Sequence, residues 1–241
     1  MIFKRHKKSN NNIEERLDPI LVNLLADVRK SYTVIFAEHG ENYASNYTIN
    51  KEATIYYNPR QFSNDSIAHE LLHVWLKTLD YFTSNHLYLC AKENPKLSLI
   101  FSKRLCDHIG NCQDHIKMYP KYLEMGYAPE SFIRDSTKEQ CSISNINSLR
   151  IRNGNFLNGE QIDFFIGSLI SIYAHHIPMD YSARLSKLES IDAGLFEIVT
   201  SFWKEWERFD ITKIDFLNNG FDEYEKFLAA MERWAENKSI V

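Results

Sequence analysis

Residues typical of β-strands are concentrated in one stretch of the chain, residues 33–57. Three short runs of β-branched and aromatic side chains lie within it, separated by turn-forming residues. Before and after this stretch, apolar residues recur at intervals of three and four, which is typical of amphipathic helices. This arrangement predicts a predominantly α-helical α+β protein with one small antiparallel sheet.

The same patterns place the individual elements. Strands are expected at 33–37, 43–49 and 53–57, helices near 13–30, 67–79, 96–118, 130–141, 160–177, 183–208 and 221–236, and a polar loop at 142–159. Only 8 Gly and 6 Pro occur in 241 residues, which fits a mainly helical chain with few turns. We expect a single domain, 1–241, with a core at about 13–127 and a helical C-terminal part at about 128–241.

Charge and cysteine content restrict the partners and the compartment. The net charge of −4 gives no reason to expect nucleic acid or an anionic membrane as a partner. We interpret the basic run Lys4–Lys8 as a solvated N-terminus, and the apolar residues before it are too few for a secretory signal. No apolar run is long enough to span a bilayer. Because the cysteines form no C-x-x-C pair, we expect reduced thiols and a cytoplasmic location.

The motif with the clearest chemical meaning is His69-Glu70-Leu71-Leu72-His73, inside the helix expected after the sheet. Residues four apart share one helical face, so His69 and His73 can both reach one ion. Neutral imidazoles suit zinc, and three protein ligands leave a fourth position for water. Glu70, turned by about 100°, can take a proton from that water as general base and return it to the leaving amine.

This motif, preceded by a short sheet whose last strand leads into the motif helix, resembles the zincin superfamily of zinc metallopeptidases, and within it the small cytosolic bacterial, gluzincin-like members. The resemblance covers roughly residues 33–120. It implies hydrolysis of a peptide bond in a cytosolic protein or peptide, with Zn²⁺ as cofactor. It also implies that the strand before the helix, at Thr54–Tyr57, binds the substrate backbone by β-augmentation.

A catalytic zinc site needs a third protein ligand, which the residues after His73 do not supply. The metzincin continuation, with a third His six positions later, is absent, and so is the literal gluzincin pattern. The helix expected next carries His108, Asn111 and His115 on one face, a polar stripe that a helical core would not need. We predict His115 as the third ligand, with Asn111 or Asp114 orienting its imidazole.

Other assignments remain open at this stage. His108 is the second candidate for the third ligand, and Asp107 or Asp114 the third, because carboxylates also bind zinc. Tyr181 or His176 could act as a donor to the oxyanion of the transition state, although histidines also favour the C-terminal end of a helix for its dipole.

Two other functions compete with the peptidase. One is a catalytically inactive zincin scaffold that binds metal or another protein. The other is a helical binding module in which the motif is accidental. The sequence does not disclose the substrate or the oligomeric state.

Overall fold

The computed structural model describes residues 13–82, 84–134, 136–154, 156–215 and 220–241. The basic run Lys4–Lys8 lies outside these residues. The fold is α+β and mostly helical, which confirms the predicted class. Within the described part of the chain, no helix is both long enough and apolar enough to cross a membrane.

The chain forms two compact units that alternate along the sequence. The first contains Met1–Tyr81 and Met118–Asp135, and the second contains Phe82–Lys117 and Ser136–Val241. Compact units within one chain do not by themselves decide how many domains fold independently. The single domain with a division near residue 127 therefore stays a prediction.

The first unit contains two complete helices around the sheet. Helix α1 spans Pro19–Val28, where the Asp18 side chain caps the N-terminus by accepting a hydrogen bond from the Leu21 amide. Helix α2 spans Asn64–Thr78 and is capped in the same way by Ser63. The motif helix predicted at 67–79 is thus confirmed, with one more turn at its start.

The sheet of the first unit has three strands, β1 (Thr33–Glu38), β2 (Ser45–Ile49) and β3 (Glu52–Tyr57), in the order β1-β3-β2. β2 and β3 form an antiparallel hairpin, but β1 pairs with β3 in parallel. The prediction of an antiparallel sheet is therefore wrong for β1. A hairpin turn through Asn50 and Lys51, both at positive φ, makes β2 and β3 neighbours. β1 pairs with the opposite edge of β3, so β3 is the central strand of the sheet.

The second unit is built mainly of helices. Its elements are α3 (Ser84–Glu93), α4 (Leu97–Ile100), the first part of α5 (Lys103–Glu124), α6 (Ile143–Ser148), α7 (Gly159–Tyr173), α8 (Ser182–Ile191), α9 (Ala193–Arg208), α10 (Phe221–Ala235) and a small sheet of β4 (Arg152–Asn153), β5 (Phe156–Leu157) and β6 (Ser239–Ile240). The helix expected at 183–208 is divided at Asp192, whose side chain caps α9.

Two predicted segments differ from the structure. The helix expected at 130–141 is wrong, because the described residues there form a short 3-10 turn, Pro129–Ser131, followed by turns and bends. Ser, Thr and Asp side chains, frequent in this segment, compete with the helical backbone for hydrogen bonds. The loop expected at 142–159 contains α6 and the β4–β5 hairpin, whose turn includes Gly154 at φ 59°.

Candidate metal centre

Helix α2 carries the sequence motif as predicted. His69 and His73 lie one turn apart, with ring centroids 5.0 Å apart and ring planes at 73°. His73 is buried, at 7% exposure, and His69 is half-buried. One imidazole of the pair is therefore shielded from solvent, while the other lies closer to the surface.

The C-terminal part of α5 packs beside the motif in the first unit. Phe132 contacts the His69 ring at 5.0 Å and the rings of Tyr119 and Tyr122 at 4.9 Å each. Lys121 lies over the Trp75 ring of α2 at 5.0 Å. These contacts hold the end of α5 next to α2.

Helix α5 is continuous from Lys103 to Glu124, so His115 is placed one turn before Tyr119 on the same helix. The His115 side chain is buried, at 7% exposure. His69, His73 and His115 each contribute one ring nitrogen. These three nitrogens lie within 4.8 Å of one another. The structure thus brings together the three histidines that the sequence analysis selected.

These histidines could hold a metal ion. Metal–nitrogen bonds of about 2.0–2.1 Å in a tetrahedral site separate ligand nitrogens by roughly 3.4 Å. The observed upper limit of 4.8 Å exceeds that by an amount that side-chain rotation can close. The donor set of imidazoles is borderline-soft and suits several divalent transition metals. The geometry therefore supports a metal site without selecting the metal.

Glu70 lies on the same helix turn as the two motif histidines and is half-buried. Its Oε2 accepts a hydrogen bond of 2.6 Å from the Asn46 side-chain amide. Burial raises the pKa of Glu70 above its ordinary value, and the His73 charge and the Asn46 hydrogen bond oppose part of that rise. A carboxyl group in such surroundings is suited to proton transfer.

The other candidates for the third ligand occupy different surroundings. His108 Nε2 lies 2.9 Å from Ser171 Oγ and 3.2 Å from the Gly167 carbonyl oxygen, in the second unit. Asp107 forms an ion pair with Lys103. Among the described residues, neither is part of a group that could share one metal ion. Asn111, expected to orient His115, is exposed.

The oxyanion donor proposed at Tyr181 or His176 belongs to the second unit. There the Tyr181 hydroxyl accepts a hydrogen bond from the Gln140 amide and lies 3.0 Å from His175 Nδ1. These contacts hold the segment after α7 in place, and a role as a transition-state donor stays a prediction.

The assignment of Thr54–Tyr57 to the substrate backbone is wrong. β3 is the central strand, and each of these residues pairs with β1 while Thr54, Ile55 and Tyr56 also pair with β2. From Thr54 to Tyr56 the backbone is paired on both sides, so no further strand can add along these residues. An added strand would have to pair with the outer edge of β1 or β2.

Two residues near the motif were missed by the sequence analysis. Asn46 was counted only as part of a strand, and its contact with Glu70 has no local signal in the sequence. Phe132 was placed in a helix that does not form, and its contact with His69 has no local signal in the sequence.

Comparisons with known proteins identify no relative. No protein-family model matches the chain, and no curated protein and no solved structure shows significant similarity to it.

Proposed function

We propose that the protein is a zinc-dependent metallopeptidase, related to the zincins, that hydrolyses peptide bonds in a cytosolic protein or peptide. One observation carries the proposal, namely the group of three imidazoles of His69, His73 and His115 with Glu70 beside it. Zinc fits this group because it accepts neutral imidazole nitrogens and leaves a fourth position open when the protein supplies three ligands.

In this proposal the three histidines hold the ion, and Glu70 moves the proton. Zinc would act as a Lewis acid that acidifies water and polarises the scissile carbonyl. Glu70 accepts the proton released from water and then donates it to the leaving amine, so one carboxyl group serves as base and acid.

The first experiment measures metal content and separates the ligands. We expect about one zinc per purified wild-type chain, and loss of metal in His73→Ala and His115→Ala. His108→Ala is the matched control on the same helix as His115 and should retain zinc, because His108 contacts Gly167 and Ser171 instead. Absence of zinc from the reconstituted wild type, or its retention in His115→Ala, would contradict the ligand set.

The second experiment tests hydrolysis with denatured casein and a fluorescence-quenched peptide library as probes. Glu70→Gln should retain zinc and lose hydrolysis by about 100-fold or more, since positioned proton transfer typically contributes that much. Retained zinc with equal hydrolysis in the wild type and in Glu70→Gln would contradict the peptidase. That result would favour the inactive metal-binding scaffold.

A further inference from the structure

We propose that Asn46 is the positioning residue for Glu70, and that it directs proton transfer to the Oε1 atom of that carboxyl group. This inference rests on the proposed function and deepens it. The observation behind it is the hydrogen bond of 2.6 Å from Asn46 Nδ2 to Glu70 Oε2, which joins strand β2 to helix α2.

The sheet holds Asn46 rigidly enough for this role. Asn46 pairs with Ile55 of β3, whose side chain is fully buried. Side chains alternate across a strand, so Asn46 faces the same side as Ile55 and neighbouring Tyr47 faces solvent at 58% exposure. The amide therefore reaches Glu70 from a paired strand and not from a loop.

The chemistry of an amide nitrogen determines which carboxylate oxygen is left for catalysis. Nδ2 carries two hydrogens and no available lone pair, so it donates and cannot accept. The hydrogen bond from Asn46 makes Oε2 the weaker base of the two carboxylate oxygens, so a proton binds more readily to Oε1. Glu70 consequently takes and returns its proton at Oε1, while Oε2 stays bound to Asn46.

A neutral donor is better suited to this task than a cation. A Lys or Arg at position 46 would hold Glu70 as an ion pair and oppose its protonation. An Asp would have nearly the shape of Asn but would place two carboxyl groups face to face, which then share one proton. The side chain of Asn46 orients Glu70 without adding charge, and its replacement can therefore change function with little change in shape.

The experiment compares Asn46→Asp, Asn46→Ala and Asn46→Gln with the wild type in the full-length, zinc-loaded chain. Tyr47→Phe is the matched control on the same strand, since its side chain faces solvent. We expect kcat to fall about tenfold in Asn46→Ala, from loss of a charge-assisted hydrogen bond, and at least 100-fold in Asn46→Asp. KM and zinc content should stay within about twofold, and Asn46→Gln should recover part of the loss because it keeps the donor.

A binding measurement adds a readout that does not depend on turnover. Acetohydroxamate has two oxygens that can bind a metal ion. It also has a donor group whose hydrogen bond a correctly oriented carboxylate can accept. We expect its Kd for the cobalt-substituted protein, followed by the visible absorption of cobalt, to rise by about the same factor in Asn46→Asp as in Glu70→Gln.

The outcomes distinguish the inference from the proposed function. Wild-type kcat and Kd in all three Asn46 variants would overturn the positioning role and leave the peptidase standing. Loss of zinc in Asn46→Ala and Asn46→Gln would also overturn it, because Asn46 would then build the metal site. A wild type without bound metal or hydrolysis would overturn the proposed function and this inference with it. If Asn46→Asp does not fold, Asn46→Ala and Asn46→Gln decide the question.

Discussion

The buried hydrogen bond between Tyr224 and Gln113 offers a quantitative test of how α5 is held. The Tyr224 hydroxyl donates to Gln113 Oε1 at 2.6 Å, and the two residues are 1% and 0% exposed. Among the described residues, Gln113 Nε2 has no hydrogen-bond partner. Tyr224→Phe would therefore leave the whole Gln113 amide without a partner. Stranding a buried polar group costs about 1–3 kcal/mol, so we expect the free energy of unfolding to fall by that amount.

A double-mutant cycle separates the hydrogen bond from packing. Gln113→Met keeps the length and shape of the side chain and leaves the Tyr224 hydroxyl stranded, with a loss of about 1–3 kcal/mol. In the double variant neither polar group remains, so its stability should lie close to that of the wild type.

Urea unfolding followed by tryptophan fluorescence is a suitable assay, because the Trp206 ring lies 4.9 Å from that of Tyr224. Additive losses in the double variant, or single losses under about 0.5 kcal/mol, would refute the reasoning.

Two further predictions concern the second unit. A Cβ on Gly159 would lie 2.3 Å from the Leu99 carbonyl oxygen, so Gly159→Ala should destabilise the protein by at least about 1–3 kcal/mol in thermal unfolding. Gly40→Ala is the control, since its Cβ meets nothing within 4 Å, and equal effects would contradict the clash. Burial raises the pKa of the Cys106 thiol to about 12, so iodoacetamide at pH 8 should modify native Cys106 far more slowly than the half-buried Cys141. Mass spectrometry measures both rates, urea-unfolded protein is the control, and equal native rates would contradict the prediction.

Features that depend on residues close in sequence were predictable. The motif helix, expected at 67–79, occurs at Asn64–Thr78, and the last helix, expected at 221–236, occurs at Phe221–Ala235. Both follow from apolar spacing within one element. The parallel partner of β3 was not predictable in this way, because spacing along a strand does not determine which edge of a neighbour it joins. The failed helix near 132 shows the same limit, since Phe132 is buried by distant aromatic rings and not by its own helix.

The candidate site shows the same division between local and distant information. His69 and His73 share a face because of helical geometry alone, and the sequence sufficed to place them together. His115 could be selected as one of several polar residues on a later helix, but only packing brings it within 4.8 Å of the other two. Asn46 could not be assigned at all, because its contact depends on the β2–β3 register and on the packing of α2.

Metal binding and proton transfer therefore depend on different elements, the first on helices α2 and α5 and the second on the contact between strand β2 and α2. The three imidazoles come from helices, His69 and His73 from α2 and His115 from α5. The orientation of Glu70 comes from strand β2 through Asn46. Changes to the aromatic packing at the end of α5, such as Phe132→Ala, should therefore weaken zinc binding, because they loosen the helix that carries His115. The change Asn46→Ala should instead leave zinc affinity intact and slow hydrolysis. Equal effects of Phe132→Ala and Asn46→Ala on zinc affinity would contradict this separation of metal binding from proton transfer.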